Sequence, residues 1–505
     1  MDDLGKLQPL WHDTGRPTRH RWPPLEGNVD ADVVVIGAGI TGLSVAWHLV
    51  HAGQRVIVLE ADTVGYGSTT AASTGNLYAA VGPRLQAIAK KHGDNALRSV
   101  VAARSAAIDF IEERVREQGI DCGFHRVPFH LFSAPDDEAA DEVRKEFDAA
   151  QRAGLAASDS LRSDFPFKAA ALLTLPDQAQ FNPLQYLLGL AEALTEKGCI
   201  IHEQSRVLDT QDGEPCTVTT ATGRVTARHI VKATHIPQGF YAVHAAMIPH
   251  REFAVLALIK DAAPPPGIYW NANSAWRYSV RPWQSAEGNF VMVLGESHKP
   301  GEQDASQLER IQQFLHSHFE VERIAYTWAA QNWKPADLLP YIGTSPIERH
   351  TWMATGFAAD GLVWGTLAGR IICDGITGIE NPWADLVNPK RFTPVASAKD
   401  FLKEQTAVVK HLVHDLTKYG RAKECTELAP GAGCVVTIDG EKIAACRDRN
   451  GELHFVGAHC THMGCLVHFN PLELSWDCPC HGSRFDVDGR VIEGPAQKDL
   501  PVPKG

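Results

Sequence analysis

From Ala31 the chain reads ADVVVIG, an unbroken aliphatic and β-branched run with no polar alternation, which predicts a strand buried on both faces. GAGITG then turns. LSVAWHLVHAG repeats its apolar residues at helical spacing until Gly53 stops it, and RVIVLEA is a second buried strand. Strand, helix and strand in this order form a βαβ unit, which implies a parallel sheet. Residues from about 85 to 165, including AIDFIEERVREQG and EAADEVRKEFDAAQRAG, read as helices with charged faces. FNPLQYLLGLAEALTEKG predicts another amphipathic helix, with a strand after it at CIIHEQSRVLDTQ. CTVTTATGRVTARHIVKAT and FVMVLGESHKPG alternate apolar with polar positions and predict antiparallel sheet. WMATGFAADGLVWGTLAGRIICDGITG reads as strand, glycine loop and helix.

Two stretches break this pattern. Residues 1–30 mix Pro, Trp and charges and read as an irregular N-terminal arm; residues 391–424 are polar and mildly basic, with one helical stretch, and read as a linker. Beyond the linker, short strands are punctuated by Asp439-Gly440, Asn450-Gly451 and Asp488-Gly489, which predicts a small all-β domain over 425–505. The rest, 31–390, is one large α/β unit with α+β parts inserted.

Composition narrows the class. At 505 residues, with 44% apolar and 21% charged, the chain can enclose a cofactor in an ordinary globular core. A net charge of −12 lacks the basic footprint that nucleic acid or an anionic membrane surface requires. MDDLGKLQPLWHDTGRP has no apolar core of a secretory signal. Val33 to Gln54 carries no Asp, Glu, Lys or Arg, but its glycines fit strand, turn and helix better than a membrane span. The expectation is a soluble, cytoplasmic protein. Four of its eleven cysteines, Cys460, Cys465, Cys478 and Cys480, fall within twenty-one residues and demand a separate account.

Gly37, Gly39 and Gly42 form G-x-G-x-x-G between the first strand and helix. The first allows a tight turn, the second lets backbone approach a pyrophosphate, and the third lets helix and strand pack closely. The helix start offers free N–H groups and a positive dipole end. Glu60 ends the second strand, where a carboxylate accepts hydrogen bonds from a ribose diol and disfavours a 2′-phosphate.

After Glu60, ADTVGYGSTTAASTGNL resembles the corresponding loop of the D-amino-acid oxidase-like flavoproteins. FNPLQYLLGLAEAL…GCIIHEQSRV, RHIVKATH and PYIGTSP…MATGFAADGLVWGTLAGRIICD resemble later parts of the same family in order, although its usual Ala-Thr-Gly reads Ala233-Thr234-His235 here. The resemblance covers about 30–380. It implies an FAD-binding, Rossmann-like domain of about 31–85, 180–240 and 335–380, with an α+β substrate domain of about 86–179 and 241–334. It implies that Ser68, Thr69 and Thr70 wrap the pyrophosphate, that Val207 lies near the adenine, and that the loop bracketed by Gly356 and Gly361 meets the flavin. The alternative is a glycine turn serving packing alone. Residues 65–75 hold no His or Cys and Cys373 sits among apolar neighbours, so the expectation is non-covalent FAD.

C-T-H-M-G-C (460–465) and C-P-C-H-G-S (478–483) each offer a Cys and a His: Cys460 with His462, and Cys478 with His481. Two thiolates on one iron and two imidazoles on the other is Rieske [2Fe–2S] ligation; a tetrahedral Cys₂His₂ zinc site is the alternative. The double box resembles the Rieske proteins of respiratory and photosynthetic complexes. That resemblance implies a Cys465–Cys480 disulfide and a hydrogen bond from Ser483 to a bridging sulfide. Phe485 stands where the high-potential members have Tyr. The whole arrangement resembles bacterial FAD-dependent oxidoreductases with a C-terminal Rieske domain.

The function expected from these resemblances is an amine or amino-acid dehydrogenase or oxidase, acting on a CH–NH bond and passing electrons from flavin to cluster to an external one-electron acceptor. One alternative is a reductase component feeding an oxygenase; another is a redox-regulated binding protein. WRYSVRPW offers Trp276, Arg277, Tyr278 and Arg281 as substrate contacts, with Arg277, Ser279 and Arg281 on one strand face. A solvated strand face is the competing reading. Gln331 and Trp333 are further candidates for the same pocket.

Overall fold

The computed structural model describes residues 4–15, 18–135, 138–239, 241–273, 277–391, 420–421 and 428–503. A six-stranded sheet forms the nucleotide-binding floor, in the order Tyr341–Thr344, Thr351–Thr355, His229–Lys232, Val33–Ile36, Val56–Leu59 and Ile200–His202. All but the Tyr341–Thr344 edge run parallel. Every residue of Val33–Ile36 and Val56–Leu59 is buried, as unalternating strands covered on both faces must be. Helix α1 (Ile40–His51) follows the first strand and packs along the long C-terminal helix Gly361–Thr377. A Cβ on Gly42 would lie 1.8 Å from the Gly37 oxygen, so only glycine lets α1 start this close to the turn.

An eight-stranded, mostly antiparallel sheet stands over this floor, in the order Val321–Pro335, Met247–Ile259, Gly288–His298, Ser279–Ser285, Ile268–Asn271, His125–Ser133, Ala171–Gln180 and Asn76–Leu77. Its face is flanked by α2 (Leu85–Gln118, kinked at Gly93) and α3 (Ala140–Arg152). The sequence pattern over 85–165 indicated helices throughout. His125–Ser133 is instead a strand, whose pattern is masked by Pro128 and a register shift between Val127 and Phe129. The next helix, α4 (Pro183–Glu196), begins where expected, its Asn182 side chain accepting from the Leu184 and Gln185 N–H groups. The N-terminal residues are stitched in: Gly27–Asp30 pairs with Gly223–Ala227, and Leu10 and Trp11 are buried in the core.

The C-terminal unit is all-β, with two four-stranded sheets, the first Gly420–Arg421, Gly433–Ile438, Glu441–Arg447 and Leu453–Gly457 and the second His468–Asn470, Ser475–Asp477, Arg484–Phe485 and Val491–Glu493. Asp439 and Gly440 both adopt positive φ, as the tight hairpin requires. Of the expected linker, only residues 391 and 420–421 are described; its helical stretch lies outside the described residues. Among the described residues, no helix is long and apolar enough to cross a membrane.

Gly42→Ala is expected to push α1 off the sheet, to destabilise the protein by about 1–3 kcal/mol and to release flavin during purification. Flavin absorbance per protein and Tm measure both effects; full flavin retention at an unchanged Tm would refute the packing argument.

Candidate active site: two cofactor cradles sharing a wall

A cavity of about 1300 Å³ runs from the α1 N-terminus, between the two large sheets, to the C-terminal unit. At one end, α1 begins at Gly39 with no side-chain cap and no acid in its first turn, leaving positive amide ends for an anion. Ser68 and Thr70 lie against this turn, Thr70 Oγ1 accepting from the Ile40 N–H at 3.2 Å. Glu60 lines the cavity and accepts from the N–H groups of Ala38 (2.7 Å) and Asp62 (3.0 Å). Burial raises its carboxyl, while two oxygens retain acceptor capacity for a ribose diol. Val207 and Gly361 also line this cavity; Gly356 sits just outside, at φ +74 against Pro335 and Met247. Glycine turn, open helix end and terminal acid together fit an FAD.

The start of the C-terminal helix Gly361–Thr377, here α6 in a series where α5 is Ala305–His318, faces the same cavity. Its first residue is preceded by Asp360, whose carboxylate accepts from Tyr78 Oη (2.8 Å) and the Gly82 N–H (3.0 Å) and lies 3.4 Å from the fully buried Arg104. This network pins the α6 N-terminus to the segment after the pyrophosphate loop.

At the other end, Arg84 occupies φ +81, an unusual conformation for a side-chain-bearing residue. Its Nε donates to Glu142 (3.0 Å) and its guanidinium lies 5.4 Å over the Trp270 ring. Among the described residues neither Nη group has a hydrogen-bond partner, and Arg84 and Trp270 line the cavity. Arg277 shares Glu142 (3.2 Å) but is 57% exposed in its side chain. Asn332 is buried and lines the cavity, with its Oδ1 lacking any partner. Tyr278 also lines it, its hydroxyl donating to Glu296 (2.7 Å).

Arg281, a substrate contact by the strand-face argument, is placed elsewhere. It is buried, donates to the Thr74 and Phe181 carbonyls and stacks over Trp11, because its face of the strand packs inward on the N-terminal helix. Arg277 precedes that strand and so does not share its face. Trp276 lies outside the described residues.

In the C-terminal unit the two boxes close as facing loops. The Cys460 N–H donates to the Cys465 carbonyl (2.8 Å) and the Cys478 N–H to the Ser483 carbonyl (2.8 Å). Cys460 and Cys478 are 3% and 1% exposed, so neither thiol is solvated. The His462 and His481 rings meet edge to face at 5.0 Å. His481 Nδ1 is buried without a hydrogen-bond partner, as a ligand atom would be. The adjacent Cys478 thiol, helped by the His462 N–H and the Ser483 hydroxyl, holds the Cys460 thiol below its usual range despite burial. Two sulfurs side by side and two imidazoles side by side fit the two irons of a Rieske cluster. Cys465 and Cys480 are disulfide-bonded beside them. Phe485 is fully buried and has no hydroxyl to offer a ligand sulfur.

The two cradles meet. Pro249 pairs with Trp333, and Arg251 with Gln331, across two antiparallel strands, so all four present one face. On that face Trp333 Nε1 donates to the His481 carbonyl (3.1 Å) and Gln331 Nε2 to the Gly482 carbonyl (2.7 Å). Gly482, at φ +80, leaves no room for a Cβ, which would lie 2.9 Å from Pro249 and 3.0 Å from Gln331 Nε2. Buried His244 packs edge to face on His462 at 5.4 Å. Arg251 pairs with Glu473, which also pairs with Arg484 at 3.0 Å. Gln331 and Trp333, expected in a substrate pocket, thus hold the cluster loop, although Gln331 also lines the cavity.

Comparison with known proteins agrees with both cradles. The model of the FAD dependent oxidoreductase family matches residues 32–375, and that of the Rieske [2Fe-2S] domain matches 419–504. The chain belongs to the FAD-dependent oxidoreductase family. This Rieske-bearing oxidoreductase is 34% identical over 490 residues to the putative Rieske 2Fe-2S iron-sulfur protein YhfW of Bacillus subtilis, covering 95% of this chain and 94% of that protein. It is 29% identical over 215 residues to gamma-glutamylputrescine oxidoreductase of Escherichia coli, covering 41% of this chain and 50% of the other. Glycine oxidase from Geobacillus kaustophilus shares the fold, with TM-score 0.59 and 18% identity over 72% of this chain and all of that one.

Arg84, Asn332, Pro249 and Arg251 escaped the sequence reading, as did the role of Gln331 and Trp333 in a contact face. Arg84 follows Gly82-Pro83 at a helix start, a local signal of constrained backbone. The contact face has no local signal, since its residues come from strands some eighty positions apart.

Phe485→Tyr is expected to raise the cluster's midpoint potential. One hydrogen bond of about 1 kcal/mol to a ligand sulfur corresponds to roughly 40 mV for a single electron. EPR-monitored titration reads it, and an unchanged or lower potential would show that the added hydroxyl finds no sulfur.

Proposed function

We propose that this oxidoreductase oxidises the CH–NH bond of an amino acid, or of an amine carrying an acidic group, and passes the electrons through its Rieske domain to an external one-electron acceptor. The observation that carries the reading is the shared wall: the loop bearing His481 is hydrogen-bonded to the sheet that lines the flavin cavity. When bound, FAD supplies a hydride acceptor and the cluster a one-electron carrier.

The chain's own residues do the rest. Arg84, fixed by Glu142 and the Trp270 ring, presents two N–H edges for bidentate hold of a carboxylate. Asn332 borders the same cavity, and its buried Oδ1 has no partner among the described residues. The α6 N-terminus, held by Asp360, turns its free amides toward the cavity and favours negative charge there. Residues of the Rieske domain, among them Val491 and Ile492, line the remaining side of the cavity.

Anaerobic mixing with a panel of amines and N-methyl amino acids tests the reading. Flavin bleaching followed by the EPR signal of a reduced Rieske cluster is expected; bleaching by NADH alone, or by no compound of the panel, would overturn it. Arg84→Gln is expected to raise KM for a carboxylate substrate 10–100-fold, the worth of about 1.5–3 kcal/mol for a charge-assisted hydrogen bond, with a smaller effect on kcat. An unchanged KM would remove Arg84 from the site.

A further inference from the structure

His235 stands at φ +65, a conformation natural to glycine, with its carbonyl held by Thr355 Oγ1 (2.7 Å) and its ring edge-on to Trp333 at 4.4 Å. Its Nδ1 lies 2.9 Å from Thr69 Oγ1, on the loop that wraps the α1 N-terminus, and 3.0 Å from Glu493 Oε1, on the last strand of the Rieske domain. One ring nitrogen therefore serves both modules, and Thr69, His235 and Glu493 all line the flavin cavity.

The proton on that nitrogen decides what Thr69 can do. Burial alone would raise the Glu493 carboxyl, but its hydrogen bond to His235 and the Arg484 and Arg251 charges hold it below the usual range. A carboxylate only accepts, so its bond to His235 requires the Nδ1–H tautomer. Thr69 cannot donate to a protonated Nδ1, and its hydroxyl hydrogen is left to point into the cavity. Without the carboxylate, the other tautomer becomes available, Nδ1 accepts from Thr69, and the cavity loses a donor.

We propose that Glu493 of the Rieske domain is a positioning residue for FAD, acting through His235 to keep the Thr69 hydroxyl a donor to an anionic phosphate oxygen at the α1 N-terminus. Each module thus completes the other's site. The inference rests on FAD occupancy alone and is independent of the proposed substrate and direction of electron flow.

The test is FAD titration of deflavinated full-length protein, read by flavin fluorescence, with the Rieske EPR signal and Tm as checks of integrity. Glu493→Leu and Thr69→Val are each expected to raise the Kd about tenfold, and the double variant to be no weaker than either single, because both remove the same donor. In a His235→Ala background, Glu493→Leu is expected to have no further effect, whereas a role in docking alone would persist. Wild-type Kd in Glu493→Leu, additive singles, or an undiminished Glu493→Leu effect on the His235→Ala background would each overturn the proposal. If Glu493→Leu loses its EPR signal, His235→Ala decides alone. It frees Thr69 to donate and should bind FAD within about threefold of wild type; weakening equal to that of Thr69→Val would overturn the proposal.

Discussion

Two hydrogen bonds, from Trp333 and Gln331 to the carbonyls of His481 and Gly482, set the relation between the halves of this protein. Each is worth only about 1 kcal/mol net, but both donors are buried where the modules meet, and a misregistered contact that kept them buried would leave them unpaired. A shifted docking that buries these donors away from the two carbonyls therefore costs more than the two bonds gain in the correct one. This asymmetry turns a pair of ordinary contacts into a registration device for the cluster loop.

Charge reinforces the registration. Arg251, Glu473, Arg484 and Asp477 alternate in sign across the boundary, with Asn470 and Ser475 filling the remaining acceptor positions on Asp477. Such a network contributes little net stability over apolar packing, because desolvation offsets attraction, but a misplaced partner leaves an uncompensated buried charge worth several kcal/mol. Its role here is specificity of docking. Arg251 and Arg484 of this network also border the cavity, so the flavin site sits in a field that the Rieske domain partly sets.

Local chemistry was legible in the sequence and long-range geometry was not. The glycine turn, Glu60 and the Cys-x-His and Cys-x-x-His boxes each depend on neighbours a few positions away; their spacing announces a dinucleotide-binding βαβ unit and a metal centre, and the family resemblance adds FAD. Asp439-Gly440 and Asn182 likewise encode a hairpin and a helix cap within two or three residues. Arg281 misled because period-two alternation gives a shared face without saying which face is core. His125–Ser133 was hidden by a proline inside a strand that a bulge accommodates. The contact face lay beyond reach, since Pro249, Gln331 and Gly482 become neighbours only through sheet register and module docking.

The absence of clearance at Gly482 bears on how such a two-part protein is inherited. A Rieske unit that carries any residue larger than glycine at this position meets Pro249 and Gln331. Grafting a foreign unit onto this oxidoreductase therefore needs a matched change on the receiving strands. Substitution at this point of the seam is limited by the strands that face it.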